Sequence, residues 1–187
     1  MKQIRIHGRG GQGVVTAAEL IAIAAFKTGL IAQAFPAFGV ERTGAPIEAF
    51  ARIDEKEIKL REQINNPDIL IIQDATLLEN AALYRGTNEK TVIIINTGKT
   101  KEDIINHIKT AGGNFLPENI HIIDATKIAL KNLGKNIVNT TILGAFAHAT
   151  KLVSLDALRQ AIAEKFVEKG QALIDKNIKA IEETFSS

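Results

Sequence analysis

A glycine-rich turn near the start of the chain constrains the fold more than any other segment. Gly8, Gly10 and Gly13 have the spacing G-x-G-x-x-G, after a short apolar strand around Ile4 and before a helical pattern from Val14 to Lys27. Glycines permit unusual backbone angles and the close approach of a ligand, and free N–H groups at a helix start attract phosphate. This order predicts an α/β protein whose first turn contacts an anionic ligand or a cofactor.

The turn lacks two features of the best-known nucleotide-binding loops. A second strand is predicted at residues 30–35, and it ends in Ala34-Phe35-Pro36 without an acidic residue to hold a ribose hydroxyl. No Gly-Lys-Ser or Gly-Lys-Thr follows the turn, which excludes a Walker A loop. A turn that only packs the first helix is the alternative to a ligand contact.

Apolar runs further along the chain predict a mostly parallel sheet. Residues 69–72 and 92–95 are β-branched runs, which are typical of central strands covered on both faces, and residues 119–123 resemble them. Residues 47–53 alternate between apolar and polar side chains, which predicts a half-buried strand. The other predicted elements in this region are a short returning strand at 58–60 and helices at 76–83 and 101–111.

The chain after Asp124 has a helical pattern to its end. Ser154 is placed as the N-cap of one helix, and Gly29 as the residue that ends the first helix. We therefore predict one α/β domain over residues 1–187, with a three-layer, Rossmann-like arrangement. Its mostly parallel sheet is flanked by helices, and the C-terminal third is helical.

Composition excludes several classes of function. The 187 residues include 23 Lys and Arg against 21 Asp and Glu, which leaves no broad basic surface for nucleic acid. The chain has no cysteine, so it supplies no disulfide, no thiolate metal ligand and no cysteine nucleophile. The most apolar stretch, Val14 to Phe26, is too short to span a membrane, and no export signal is apparent. We expect a cytoplasmic protein without nucleic-acid or membrane partners.

The segment from Pro36 to Pro46 is too rich in Gly and Pro for regular structure. It contains Phe38 and Val40 in a region expected to be exposed, and Glu41 and Arg42 place two charges beside them. We interpret it as an interface or ligand loop, with a surface turn as the alternative.

Two aspartates end predicted parallel strands, where α/β proteins often place binding groups. Helix capping explains Asp74 and Asp124 equally well. The four histidines show no metal-ligand spacing, and no nucleophile, base and orienting acid occur together. The residues alone therefore favour a binding subunit over a self-sufficient enzyme.

Four segments together resemble the gamma subunits of the 2-oxoacid:ferredoxin oxidoreductases. The glycine turn alone would be weak evidence for this resemblance. It becomes strong because the block Glu41-Arg42-Thr43-Gly44-Ala45-Pro46 follows the turn in the order found in these subunits. The resemblance runs nearly end to end and is strongest to the pyruvate:ferredoxin oxidoreductases, or pyruvate synthases. The Arg-Thr-Gly form also suits members that use branched-chain oxoacids, such as 2-oxoisovalerate. The four segments are residues 8–18, 35–46, 67–74 and 139–145.

The resemblance implies a reaction and a set of partners. Pyruvate, CoA and oxidised ferredoxin interconvert with acetyl-CoA, carbon dioxide and reduced ferredoxin. Thiamine diphosphate with Mg²⁺ and [4Fe–4S] clusters would belong to the alpha, beta and delta subunits. The gamma subunit would cover the active site and help to position CoA, and the isolated chain would be inactive.

The resemblance also implies which residues contact CoA. The pyrophosphate and 3′-phosphate of CoA suit a glycine turn with Arg9. Arg42 suits them as well, if sheet topology brings the two segments together. No catalytic and no metal-binding residue is predicted. The alternatives are a subunit that only clamps its partners and a free-standing Rossmann-type nucleotide-binding protein. The predicted binding residues are Gly8, Arg9, Gly10, Gly11, Gln12, Gly13, Glu41, Arg42 and Thr43.

Overall fold

A computed structural model describes residues 1–37 and 43–187. Their sheet has the strand order β2-β3-β1-β4-β5-β6, in which β3 runs antiparallel to both of its neighbours and the other neighbouring pairs are parallel. The elements are β1 (Lys2–Arg9), α1 (Val14–Lys27), β2 (Ile31–Pro36), β3 (Pro46–Asp54), β4 (Ile69–Ile72), β5 (Val92–Asn96), α2 (Lys101–Thr110), β6 (Ile120–Ile123), α3 (Ala125–Leu133), α4 (Val138–Thr150), α5 (Leu155–Lys165) and α6 (Gln171–Phe185).

The sheet is covered on both faces, as the apolar runs predicted. In β4, Ile69 and Ile71 face a layer formed by α1, α4, α5 and α6, whereas Leu70 and Ile72 face the opposite layer. That second layer contains α2 and two short 3₁₀ turns, Ala75–Leu77 and Ala81–Tyr84. The predicted mostly parallel, three-layer α/β architecture is confirmed.

The first helix begins and ends where the sequence placed it. Its inner side chains are buried, but Phe26 in the last turn is 69% exposed, so the helix is not covered all round. Gly29 follows with a φ of +82°, the left-handed angle that ends a helix at little cost for glycine. Ser154 likewise caps α5, because its side chain accepts a hydrogen bond from the Ala157 N–H at 3.0 Å.

Residues 47–53 form a strand as predicted, within β3, but the prediction that the strand is half-buried is wrong, because residues 49–53 are buried on both faces. Phe50 and Arg52 are both 1% exposed, although they point away from the α1 layer. The Arg52 guanidinium lies 5.1 Å from the centre of the Phe35 ring and donates hydrogen bonds to the Leu60 and Glu62 carbonyls. The short strand predicted at residues 58–60 is not formed. Their segment covers the sheet through carbonyl groups that bind a buried arginine.

The helix predicted at residues 76–83 is replaced by the two 3₁₀ turns. Asn80 caps the second turn, because its side chain accepts from the Ala82 N–H that a continuous helix would donate to the Leu78 carbonyl. The Leu78 carbonyl instead accepts from the Tyr84 hydroxyl at 2.8 Å. A side chain that competes for the backbone thus interrupts the helical pattern.

The segment at residues 139–145 has a packing role. A Cβ atom on Gly144 would lie 2.0 Å from the Ile181 carbonyl oxygen, so only glycine lets α4 and α6 approach this closely. Thr184 donates to the Thr141 carbonyl at 2.6 Å, and Thr140 donates to the Asn177 side chain at 2.6 Å. Residues 139–145, one of the four segments of the resemblance, therefore serve to pack α4 against α6.

Candidate functional site

The chain leaves the sheet in opposite directions at the carboxyl ends of β1 and β4. Strand β1 leads into α1 on one face, whereas β4 leads into the 3₁₀ turns on the other face. The two strands are parallel neighbours, so their connections diverge and leave a crevice between them. Open α/β sheets bind ligands at such a point. The glycine turn of residues 8–13 forms one side of this crevice.

Three glycines of the turn are required for different reasons. Gly11 and Gly13 have φ values of +92° and +70°, which other residues rarely adopt. A Cβ atom on Gly13 would also lie 2.3 Å from the Asn139 side-chain nitrogen. Gly8 has an ordinary backbone angle, but a Cβ atom there would lie 2.6 Å from a methyl group of Val14.

The start of α1 is suited to an anion. Gly13 occupies the N-cap position, and no side chain of the described residues caps the helix. The first turn contains no acidic residue. The N–H groups of the first helical turn have no partner within the helix, and the helix dipole adds partial positive charge there. This terminus can therefore donate several hydrogen bonds to a phosphate group.

The loop that follows β2 returns to the glycine turn. Gly10 donates its N–H to the Ala45 carbonyl at 2.8 Å, and Gly44 donates to the Gly10 carbonyl at 3.0 Å. Gly10 and Thr43 form a parallel bridge. The two predicted segments therefore adjoin, at least from Thr43 onward. Residues 38–42, with Phe38, Val40, Glu41 and Arg42, lie outside the described residues.

The Arg9 guanidinium binds other residues of this chain. Its Nε atom lies 3.3 Å from a carboxylate oxygen of Asp74, and Nη2 donates to the Thr76 hydroxyl at 2.7 Å. Its Nη1 atom donates to the Gly44 carbonyl at 3.1 Å. Arg9 thus ties together the glycine turn, the returning loop and the end of β4. Its role as a phosphate ligand stays a prediction.

Gln12 bridges the crevice. Its side-chain oxygen accepts from the Arg9 N–H at 2.7 Å, and its side-chain nitrogen donates to Asp74 at 2.8 Å. Burial raises the pKa of Asp74, but hydrogen bonds from Thr76 and Gln12 and the charge of Arg9 outweigh it, so the pKa lies below its usual value. Asp74 is therefore a carboxylate at neutral pH.

Both strand-end aspartates cap the segments that follow them, as the capping alternative predicted. Asp74 accepts from the Thr76 N–H at 3.0 Å, and Asp124 accepts from the Lys127 N–H at 2.9 Å. Asp74 also lines the crevice, so it combines capping with a place in the candidate site.

A polar pocket of about 290 Å³ opens at the carboxyl ends of the parallel strands. Gln73 lines this pocket and is not among the predicted site residues, although its position directly after a buried run was a usable signal. The other lining residues are Gln12, Asp74, Ala75, Thr76, Asn96, Thr97, Gly98, Thr126, Asn136 and Val138.

The described residues contain neither a candidate metal site nor a membrane-spanning helix. Within residues 1–37 and 43–187, no three His, Asp or Glu side chains are grouped so that they could hold a metal ion. No helix in the described part of the chain combines the length and apolarity needed to cross a membrane.

Comparison with known proteins places the chain in a family. It is 48% identical to the pyruvate/ketoisovalerate oxidoreductases common subunit gamma of Thermococcus kodakarensis over 186 residues, which cover 100% of this chain and 96% of the relative. It is 49% identical to pyruvate synthase subunit PorC of Methanocaldococcus jannaschii over 186 residues, with the same coverage.

A crystal structure agrees with these relatives. Pyruvate oxidoreductase subunit PORC of Thermotoga maritima superimposes with a TM-score of 0.85 at 36% identity, covering 100% of this chain and 96% of that one. The family model for pyruvate ferredoxin/flavodoxin oxidoreductase matches residues 3–187. The chain therefore belongs to the pyruvate ferredoxin/flavodoxin oxidoreductase family.

Proposed function

We propose that this chain is the gamma subunit of a cytoplasmic, multi-subunit pyruvate:ferredoxin oxidoreductase. The enzyme converts pyruvate, CoA and oxidised ferredoxin into acetyl-CoA, carbon dioxide and reduced ferredoxin, or the reverse. Relatives that are 48–49% identical over the full chain support this assignment by their names. One of those names covers ketoisovalerate as well, so a gamma subunit shared with a branched-chain oxoacid enzyme is the second candidate.

The chemistry that this chain lacks belongs to its partners. Alpha, beta and delta subunits would carry thiamine diphosphate with Mg²⁺ and the [4Fe–4S] clusters. The 187 residues contain no cysteine, so the cluster thiolates have to come from other chains. The contribution of the gamma subunit is then to cover the active site and to hold CoA beside it.

The contact with CoA rests on one observation, the start of α1 at the crevice, which no side chain in residues 1–37 or 43–187 caps. Its first-turn N–H groups can donate to a phosphate of CoA, and Gly10 brings the backbone of the turn against residues 43–45. Arg42 directly precedes Thr43 in the sequence, so we assign Arg42 as the cation that neutralises the phosphate charge. Arg9 orients the turn through Asp74 and Gly44.

Arg42→Ala in the assembled enzyme is expected to raise the KM for CoA more than the KM for pyruvate. A charge-assisted hydrogen bond contributes about 1.5–3 kcal/mol, which is roughly a ten- to hundredfold change in affinity. Gly10→Val should act in the same direction, because a branched side chain obstructs the approach of the ligand to the backbone. Steady-state kinetics with each substrate varied measures both effects, and the exposed Arg61→Ala is the matched control.

Carbon dioxide exchange into pyruvate, without an electron acceptor, separates the outcomes. Decarboxylation precedes the step that uses CoA, so this exchange should survive both substitutions. Unchanged CoA kinetics in both variants would end the proposal that these residues hold CoA. Loss of the variant chains from the purified complex would instead identify the subunit as a structural clamp.

A further inference from the structure

Strand β6 forms one edge of the sheet. Its neighbour on one side is β5, and within residues 1–37 and 43–187 no strand lies on the other side. The Ile123 carbonyl accepts from the Thr97 N–H at 2.9 Å on the β5 side. Successive strand residues point their backbone groups to opposite sides, so those of Ile120 and Ile122 point outward. The Ile120 N–H donates to the Pro117 carbonyl, which leaves the Ile120 carbonyl and both backbone groups of Ile122 for another strand.

This edge lacks the features that commonly keep edge strands from pairing. The sequence of β6 is Ile120-His121-Ile122-Ile123, without a proline, a lysine or an acidic residue. The opposite edge, β2, ends in Pro36, which has no N–H to offer to a partner strand. An apolar edge without such protection is a template for an added strand. The edge suited to pairing is therefore β6 rather than β2.

A groove of about 240 Å³ follows this edge and is lined by all four residues of β6. Its other walls come from α2, α4 and the end of α6. The titratable side chains that line it are Lys101, His121 and His148, and no Asp or Glu side chain from the described part of the chain is among its lining residues. Burial, and then the charges of Lys101 and His148, lower the pKa of His121, so the three side chains lie close enough to interact.

Lys151, directly after α4, extends this positive charge toward the end of α6. Its Nζ atom lies 5.4 Å from the centre of the Phe185 ring, and the His148 ring lies 5.4 Å from the same ring. Carboxylates suit such a surface, because opposite charges on paired strands stabilise the pairing and like charges destabilise it. A second copy paired through the same edge would bring two such positive clusters together across a two-fold axis. The charge therefore favours an acidic partner over a second copy.

We propose that the outer edge of β6 pairs with an extended, acidic segment of another subunit of the enzyme. The segment adds a seventh strand to the six-stranded sheet. Its backbone bonds to Ile120 and Ile122, and its carboxylates face Lys101 and the two imidazoles. Backbone hydrogen bonds supply the affinity in this mode of recognition, and side chains supply the specificity.

This surface is separate from the crevice at the glycine turn. Strands β4 and β5 lie between β6 and β1, the strand that leads into the turn. The inference rests on the proposed function only in requiring other subunits that can supply the added segment. Its outcome therefore does not depend on which subunit binds CoA.

The first test compares Ile122→Pro with Ile122→Val in the assembled enzyme. The N–H of residue 122 points away from β5, so proline keeps the existing ladder but removes a donor and obstructs an added strand. After co-expression with the other subunits, the share of this chain recovered in the purified enzyme should fall roughly tenfold or more for the proline variant. The valine variant should be recovered like the unsubstituted chain. Circular dichroism of the isolated variants shows whether each one folds.

The second test needs no substitution. A carbodiimide joins a lysine amine directly to a carboxylate that touches it, and mass spectrometry of the cross-linked enzyme identifies both peptides. We expect Lys101 or Lys151 to be joined to an Asp or Glu of another subunit. Lys109, exposed on the same helix as Lys101, is the matched control and should not be joined to that segment.

Equal recovery of the two variants, or the absence of cross-links from Lys101 and Lys151 to another subunit, would overturn the inference. If the complex oxidises pyruvate with CoA and the variants are recovered equally, the proposed function stands and the strand pairing fails. If the variants and the cross-links behave as expected but the complex does not use pyruvate, the strand pairing stands and the proposed function fails.

Discussion

Replacing Arg5 by methionine is expected to lower the free energy of unfolding by about 3–6 kcal/mol, because two short hydrogen bonds from a charged donor are lost and each contributes about 1.5–3 kcal/mol. Arg5 is a residue of β1 and is 2% exposed. Its guanidinium donates to the backbone carbonyls of Leu83 and Arg85 at 2.9 and 2.8 Å. Longer hydrogen bonds reach the carbonyls of Ile64 and Asn65 at 3.4 and 3.3 Å.

The size of this effect follows from what the arginine holds together. Two segments that are far apart in the sequence, around residues 64–65 and 83–85, meet at one guanidinium. Methionine fills much of the volume but leaves their carbonyl groups buried and unpaired. Urea unfolding followed by circular dichroism measures the change, with Arg61→Met at an exposed arginine as the control. A loss for Arg5→Met within about 0.5 kcal/mol of the control, the range for surface substitutions, would contradict this account.

His7 is expected to make the fold acid-sensitive. Burial, and then the charge of Arg5, lower the pKa of His7 to about 3. Its Nε2 atom accepts from Arg5 Nε at 3.0 Å, so the folded chain holds a neutral imidazole. In the unfolded chain the pKa returns to about 6.5. Between these two values the unfolded state binds a proton that the folded state refuses, so stability falls as the pH falls.

The slope is about 1.4 kcal/mol per pH unit for this one group between pH 6 and pH 4. His7→Gln keeps an acceptor for Arg5 but cannot be protonated, so the variant should lack this component. Urea unfolding at several pH values gives the difference in slope. Gln171→Met, at an exposed position that cannot be protonated, should keep the slope of the unsubstituted chain. Parallel pH profiles for His7→Gln and the unsubstituted chain would refute the assignment.

Elements set by local patterns could be predicted, and those set by distant contacts could not. The bounds of α1 follow from Gly13 before it and Gly29 after it, both visible in the sequence. Residues 58–60 were mistaken for a strand because their partner is the Arg52 side chain, whose burial depends on tertiary packing. Asn80 is an exception: its capping bond is local, yet the apolar spacing at residues 76–83 predicted a helix there and concealed it.

Some features of the candidate site could also be predicted from the sequence, whereas others depend on tertiary contacts. Sheet topology correctly predicted that Gly10 meets the segment beginning at Thr43. Asp74 was recognised because it ends a predicted strand. Gln73, one position earlier, was not: its position after a buried run is visible in the sequence, but its unpaired amide becomes apparent only once the side chains around it are placed. The engagement of Arg9 with Asp74 and Gly44 is likewise a tertiary feature.

Photolabelling tests most directly whether this subunit contacts CoA. The assembled enzyme is irradiated with CoA that carries an azide on its adenine, then digested, and the labelled peptides are identified by mass spectrometry. We expect label on this chain, in peptides containing residues 8–13 or 73–76, and its loss when excess unmodified CoA is present. Label that CoA displaces but that lies only on partner subunits would contradict the account.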